Sequence, residues 1–255
     1  MTKRLIHTVI LLFMMMDLLA QTPRVNTRHH IGWYNLFSTL HLNQKWGIHT
    51  EYQWRRENVI TNWQQSLLRI GLNFNTPLPG LQLRLGYAWA ETFPYGDIPI
   101  NSMGKSFSEH RIFQMVTIQD KLMRLEMTHR FMLEQRWVGR YSKASLDKED
   151  QYVYMNRGRY QCKMQLPLKG KIIKTGIPYV LLFDEIFIGF GRNVGENIFD
   201  QNRISLQMGY ALNKHCKFEA GYLNQTILLG REINNQQVFQ YNHGLILNAI
   251  FQIRN

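Results

Sequence analysis

Residues 124–136, RLEMTHRFMLEQR, alternate two kinds of side chain with a period of two. The set that begins at Arg124 is largely charged, and the set between its members is almost wholly apolar. Successive side chains of a β-strand point to opposite faces, whereas the apolar residues of an amphipathic helix recur three and four apart. The segment therefore predicts a long strand with one charged and one apolar face, although Leu, Met, Glu and Arg favour helices.

The same alternation recurs along the chain and indicates about eleven strands. They cover 29–41, 46–56, 64–75, 81–92, 107–118, 122–136, 152–166, 178–190, 201–212, 216–229 and 240–253. Strands of soluble proteins average about 5–6 residues, whereas a tilted strand that crosses a membrane needs about 9–11. Most of the predicted strands have ten residues or more, a length typical of transmembrane strands.

The connections between these strands alternate in length. Short ones at 43–45, 76–80, 119–121 and 213–215 are interleaved with longer ones at 57–63, 93–106, 137–151, 191–200 and 230–239. Aromatic side chains lie near many strand ends, namely Trp33, Trp46, Trp54, Trp63, Trp89, Trp137 and Tyr152. Short periplasmic turns, long extracellular loops and an aromatic girdle are typical of an all-β, antiparallel outer-membrane barrel. The alternative is a soluble, exported β-sandwich.

The count of eleven strands conflicts with an outer-membrane barrel, because eleven is odd. An odd total would start and end the chain on opposite sides of the membrane, and bacterial single-chain barrels have even strand numbers. We therefore expect about twelve strands, with ten as the alternative. We expect the additional strand at 168–179 or in the residues before Trp33.

The first twenty residues have the features of a secretory signal. Lys3 and Arg4 precede an apolar run that ends at Met16, and Ala20 precedes Gln21. The run is shorter than the ~20 apolar residues that a membrane-spanning helix needs. We predict a signal peptide at 1–20 and one barrel domain at 21–255, located in the outer membrane.

The net charge and the positions of the histidines indicate which classes of binding partner to expect. A net charge of +12 on an exported chain favours anionic outer-membrane lipids, including lipopolysaccharide, over nucleic acid. The histidines are divided between strand faces, so we expect neither a metal site nor a cofactor, and no protein partner is indicated. A small anionic solute that passes the interior arginines is a weaker alternative.

The predicted interior faces carry the candidate functional residues. They are Glu51, Arg55, Arg69, Arg84, Glu109, Arg111, Arg124, Glu126, Arg130, Glu134, Arg136, Arg157, Arg159, Glu185, Arg203, Lys217 and Glu219. An unpaired buried charge costs several kcal/mol, and guanidinium forks match carboxylates. We expect Arg–Glu pairs to leave a narrow or plugged lumen, which suits a structural, binding or small-solute role. Glu126 and Glu134 could instead serve acid–base chemistry.

The sequence SEH at 108–110 suggests an alternative function. Ser108 and His110 share the outward face near a long connection, as the lipid-facing Ser and His of outer-membrane lipid hydrolases do, although here their order is reversed. A nucleophile needs its base within hydrogen-bond reach, and such neighbours lie about 6.5 Å apart at the backbone. A lipid-modifying hydrolase is therefore the alternative hypothesis.

The segment around Asp120 predicts a tight turn between two antiparallel strands. A two-residue turn at 120–121 would set Arg130 opposite Arg111, and a slip of two residues would set it opposite Glu109. Both registers keep the three charged residues on the interior face, because only a slip by one exchanges the faces. We expect Glu109 to form a salt bridge with Arg111 or Arg130.

Several motifs together resemble one known family. They are EHRIFQ at 109–114, HRFMLEQR at 129–136, RGRYQ at 157–161, DEIFIGFG at 184–191, FDQNR at 199–203 and the GY pairs at Gly209 and Gly221. Their order is similar to that in the uncharacterised outer-membrane proteins of Bacteroidota grouped as domain of unknown function 2490. The resemblance implies an outer-membrane β-barrel and implies no activity.

Overall fold

The computed structural model describes residues 24–194 and 198–254, and these residues form eleven β-strands. The strands are β1 (Arg24–His41), β2 (Trp46–Glu57), β3 (Asn62–Asn75), β4 (Leu81–Thr92), β5 (Phe107–Leu122), β6 (Leu125–Arg140), β7 (Gln151–Pro167), β8 (Pro178–Phe190), β9 (Phe199–Ala211), β10 (Cys216–Ile233) and β11 (Gln236–Arg254). The predicted signal peptide lies outside the described residues. No helix that could span a membrane occurs in the part of the chain described.

The strands form one closed barrel in which each strand pairs with its sequence neighbours. Every such pair is antiparallel, and the barrel closes through a parallel pair between β1 and β11 that runs from Arg24↔Gln237 to His41↔Arg254. The prediction of twelve strands was wrong, and the eleven strands visible in the sequence are the complete set among the described residues. An even number is required only when the first and last strands pair antiparallel, and a parallel pair closes an odd-numbered barrel.

Neither expected source of a twelfth strand supplies one. Residues 168–177 form the connection between β7 and β8, and the residues before Trp33 lengthen β1. β1 consequently begins at the opposite end of the barrel from the end at which β11 finishes.

The two ends of the barrel carry different connections. The turn end carries 42–45, 76–80, 123–124, 168–177 and 212–215, and the loop end carries 58–61, 93–106, 141–150, 234–235 and the described residues 191–194 and 198. Long connections at 93–106 and 141–150 agree with the prediction. The connections at 58–61 and 234–235 are shorter than predicted because the strands beside them extend further.

Within the strands the predicted faces are confirmed, and they make the barrel mainly apolar outside and mainly polar inside. In β9, for example, Ile204, Leu206 and Met208 are exposed on the outer surface, while Ser205 and Gln207 are buried within. Trp33 departs from the expected aromatic girdle. It points inward and is 3% exposed, because it lies on the interior parity of β1.

The β5–β6 hairpin has a different register from the one predicted. Leu122 pairs with Leu125 around a two-residue turn at 123–124, so Arg111 faces Arg136 and Thr117 faces Arg130. The strands continue past Asp120, and Lys121 pairs with Glu126. Both registers keep the same faces, since the shift is even; the alternation therefore fixed the faces and left the position of the turn open.

Candidate functional site: the charged interior of the barrel

Glu134 of β6 is at the centre of the interior ion pairs and is completely buried. Its carboxylate lies 2.7 Å from a guanidinium nitrogen of Arg157 and 2.8 Å from one of Arg159, both on the adjacent strand β7. Arg111 and Arg69 approach it at 3.9 and 4.0 Å. Arg69 belongs to β3, so these contacts cross the lumen and are not confined to neighbouring strands.

Two further carboxylates, Glu185 on the interior face of β8 and Glu109 on the interior face of β5, extend this network. Glu185 lies 2.6 Å from Arg159, 2.8 Å from Arg130 and 3.8 Å from Arg203. Glu109 accepts hydrogen bonds from Nε and Nη2 of Arg111 at 2.7 and 2.9 Å, and it also contacts Arg136.

The predicted contact of Glu109 with Arg111 is therefore present. The expected contact of Glu109 with Arg130 is replaced by one with Arg136, because the register places Arg136 opposite Arg111 and carries Arg130 away from Glu109.

A second group of pairs lies nearer the turn end. Glu51 is 2.6 Å from Arg69 and 3.7 Å from His49. Glu219 accepts a hydrogen bond from the Tyr179 hydroxyl at 2.9 Å, and Lys163 lies 3.8 Å away.

The other candidate residues differ in their surroundings. Arg84 donates to Asn73, Lys217 is half-buried on the interior parity, and half-buried Glu126 accepts a weak bond from the backbone of Ile173 at 3.4 Å. The prediction that Arg124 lies on the interior face was wrong. Arg124 is exposed in the turn and donates to the carbonyl of Pro167 at 2.7 Å. The interior alternation stops at the hairpin turn, so Arg124 no longer has an inward direction.

The interior also holds aromatic rings that the charge pattern did not indicate. Arg55 lies over the ring of Trp33 at 3.8 Å, and Arg203 lies 4.8 Å from the same ring. Phe187 stacks against Arg159 and Arg203, each at 4.4 Å. Such cation–π contacts stabilise buried guanidinium groups in addition to any ion pairs they form. The available signal was their parity, since Trp33 shares the odd-numbered interior face of β1 with Asn35, and Phe187 that of β8 with Glu185.

Connection 93–106 folds into the mouth of the barrel at the loop end, which the sequence did not predict. Tyr95 is 4% exposed, and its hydroxyl donates to Gln240 at 3.1 Å and accepts from Asn242 at 3.1 Å. Burial raises the pKa of the Tyr95 hydroxyl, which keeps the donor proton in place. Arg231 donates to the carbonyl of Pro99 at 2.8 Å, so the connection is held to β10 and β11.

Gly96 lets this connection pass close to β1. Its φ is +67°, and an added Cβ would lie 2.1 Å from the imidazole of His29. A side chain here would have both backbone strain and a steric clash.

A cavity of about 270 Å³ lies between this connection and the ionic network. We call it the loop-end chamber; its lining includes Tyr95, Ile100, Ser102 and Phe107, and it includes seven arginines but two carboxylates. The arginines are Arg55, Arg111, Arg136, Arg140, Arg157, Arg203 and Arg231. Ser102 and Arg140 are exposed, so the chamber reaches the protein surface.

Ser108 and His110 do not form a nucleophile–base pair. The Ser108 hydroxyl hydrogen-bonds to Tyr152 at 2.9 Å, and His110 Nδ1 hydrogen-bonds to Tyr87 at 2.5 Å. Among the described residues no hydrogen bond joins Ser108 to His110, and the ring of Tyr152 lies beside the imidazole at 5.6 Å. The arrangement lacks the contact that the hydrolase hypothesis requires.

A comparison with protein families gives a match. The family described as "Protein of unknown function (DUF2490)" matches residues 31–236, from the middle of β1 to the start of β11. The chain belongs to this family. No curated protein matches it, and no solved structure matches it. The matched residues include all of β2–β10, and the family description assigns no activity.

Proposed function

We propose that this member of the family is an integral outer-membrane β-barrel with a closed lumen, acting as a structural or binding protein and not as an open pore. The observation that carries the proposal is the reversed polarity of the barrel. Leu85 on β4 and Leu206 on β9 are 58% and 56% exposed, whereas Glu134 within the barrel is not exposed at all.

The outer surface favours a lipid environment over water. Exposed large apolar side chains occur on strands all around the barrel, and soluble monomers rarely expose continuous apolar patches of more than a few hundred Å². Aromatic pairs lie near both ends: Trp54 and Trp63 are 6.1 Å apart near the loop end, and Trp46 and Phe74 are 4.7 Å apart near the turn end. Such positions suit the two interfaces of a bilayer.

The interior supports a closed lumen. The pairs of Glu134, Glu185 and Glu109 draw arginines from β3, β5, β6, β7 and β9 into the cross-section. Barrels of about eight strands have their interiors filled by side chains, whereas barrels of 16–18 strands leave an aqueous channel. Eleven strands with long arginines belong nearer to the first case.

Cell fractionation combined with a heat-shift gel tests this proposal. We expect the full-length chain, expressed in a diderm bacterium, to sediment with outer membranes and to resist alkaline extraction. Folded protein should migrate differently from boiled protein on a denaturing gel. Recovery in the soluble periplasmic fraction, without a heat-dependent shift, would overturn the proposal.

A further inference from the structure

The loop-end chamber has more positive groups than its carboxylates can balance. Both carboxylates are already engaged: Glu109 binds Arg111 and Arg136, and Asp200 lies 2.7 Å from Arg157 and accepts from Gln201 at 3.3 Å. Four of the seven lining arginines are therefore left without either of these carboxylates as a close partner.

The remaining four arginines have weak or neutral partners. Arg55 donates to Gln53 and to Gln65, and among the described residues it has no carboxylate within 4.0 Å. Arg203 reaches Glu185 at 3.8 Å, and Arg231 donates to a backbone carbonyl. The guanidinium of Arg140 has no ion pair or hydrogen bond within the described part of the chain.

Guanidinium groups that lack a close carboxylate partner can bind an oxyanion. Each presents a planar fork of donors that matches the oxygens of phosphate or carboxylate, and a charge-assisted bond is about twice as strong as a neutral one. Arg55 and Arg203 are 5% and 8% exposed, so their charges are shielded from solvent, whereas Arg140 lies at the opening of the chamber. Electrostatic attraction there is stronger than at an open surface.

The rest of the lining suits a small organic body attached to that oxyanion. Ile100, Phe107 and Val138 line the chamber together with the apolar residues at 227–229 of β10. The volume of about 270 Å³ is near the lower limit of ligand pockets, which occupy roughly 300–1,000 Å³. The chamber can therefore hold a molecule about the size of a phosphorylated monosaccharide.

We infer that the loop-end chamber is a binding site for a small organic phosphate, held by Arg55, Arg140, Arg203 and Arg231. The inference rests on the proposed function, because a closed outer-membrane barrel would present this chamber at one membrane face. The same phosphate chemistry occurs in free sugar phosphates and in the phosphorylated sugars of lipopolysaccharide, and the chamber volume favours the free molecule.

Calorimetric titration of the barrel folded in detergent tests this inference. The probes are glucose 6-phosphate, glucose and inorganic phosphate, with a heat-shift gel on the same sample to establish that the barrel is folded. We expect glucose 6-phosphate to bind with an affinity that falls as salt rises, glucose not to bind, and inorganic phosphate to bind more weakly. Titration with delipidated lipopolysaccharide sugars distinguishes the membrane source.

Paired variants localise the site. Arg55→Gln and Arg140→Gln should each weaken glucose 6-phosphate binding about tenfold, the loss expected for one charge-assisted contact. Arg28→Gln removes the same charge from the outer surface of β1 at the loop end, and it should leave binding unchanged.

The possible outcomes separate the two proposals. A barrel that shows the heat shift but does not bind glucose 6-phosphate would overturn the inference and leave the proposed function standing. Equal weakening by Arg28→Gln would show non-specific attraction and would also overturn it. Lack of a heat shift would contradict the proposed function itself.

Discussion

At the scale of single residues, Glu134 holds the interior together. It is the shared partner of Arg157 and Arg159, with Arg111 and Arg69 at about 4 Å. Glu134→Gln would leave these guanidiniums around a neutral amide, and we expect a loss of about 3–5 kcal/mol in the free energy of unfolding. Urea titration in lipid vesicles measures it. Glu126→Gln is the matched control, because Glu126 is half-buried near the turn end, and it should cost under about 1 kcal/mol. Equal losses of stability in the two variants would contradict the central role of Glu134.

Gly209 makes a second prediction at this scale. It pairs with Tyr179, and an added Cβ would lie 2.2 Å from the tyrosine ring. Gly209→Ala should displace the ring, weaken its hydrogen bond to Glu219 and lower stability by about 1–3 kcal/mol. Gly230→Ala is the control, because nothing lies within 4 Å of an added Cβ there. If both variants unfold at the same urea concentration, the ring does not need the glycine.

At the scale of elements, the parallel pair of β1 and β11 is the feature least expected from sequence. Leu36 and Ala249 are partners in its register. With Cys162 and Cys216 replaced by serine, Leu36→Cys with Ala249→Cys should form a disulfide on oxidation, since partnered residues lie within bridging distance. Leu36→Cys with Ile253→Cys should not. Cross-linking of the second pair, or of neither pair, would contradict the parallel closure.

The strands and their faces could be predicted from the sequence, but the β5–β6 turn and the path of connection 93–106 could not. Alternation identified the strands and their faces, because burial of one face makes a slip by one residue costly. It could not locate the turn at 123–124, because a shift of six residues exposes the same side chains. It also could not show that 93–106 folds inward, since that depends on contacts of Tyr95 with β11, far along the chain.

At the scale of the whole molecule, a closed lumen predicts low conductance. Inserted into planar bilayers from vesicles that show the heat shift, the wild-type barrel should give no porin-sized currents at neutral pH. Its interior arginines and carboxylates occupy the cross-section, as they would in a side-chain-filled barrel of few strands. Large, stable open-state currents would show that the network does not fill the lumen.

The candidate site was only partly visible at this scale. The charged residues of the interior could be read from alternation, but the surplus of arginine at the loop end depends on which pairs form. Arg55 and Arg203 share the ring of Trp33, which lies on β1, and Arg55 has no close carboxylate among the described residues. Trp33 and Arg55 are partners in the β1–β2 register, but the approach of Arg203 from β9 to the same ring requires the closed barrel.

The contact of the barrel's outer surface with lipid can be measured by the accessibility of spin labels on the barrel in lipid vesicles. Labels replace Leu85 of β4 and Leu206 of β9, which are exposed on well-separated strands, and Met103 of connection 93–106 serves as the solvent reference. We predict that the two strand labels collide with dissolved oxygen far more than with a water-soluble nickel complex, and that the Met103 label does the reverse. Strand labels as accessible to nickel as the Met103 label would show that the apolar surface does not meet lipid and that the protein is not an integral membrane barrel.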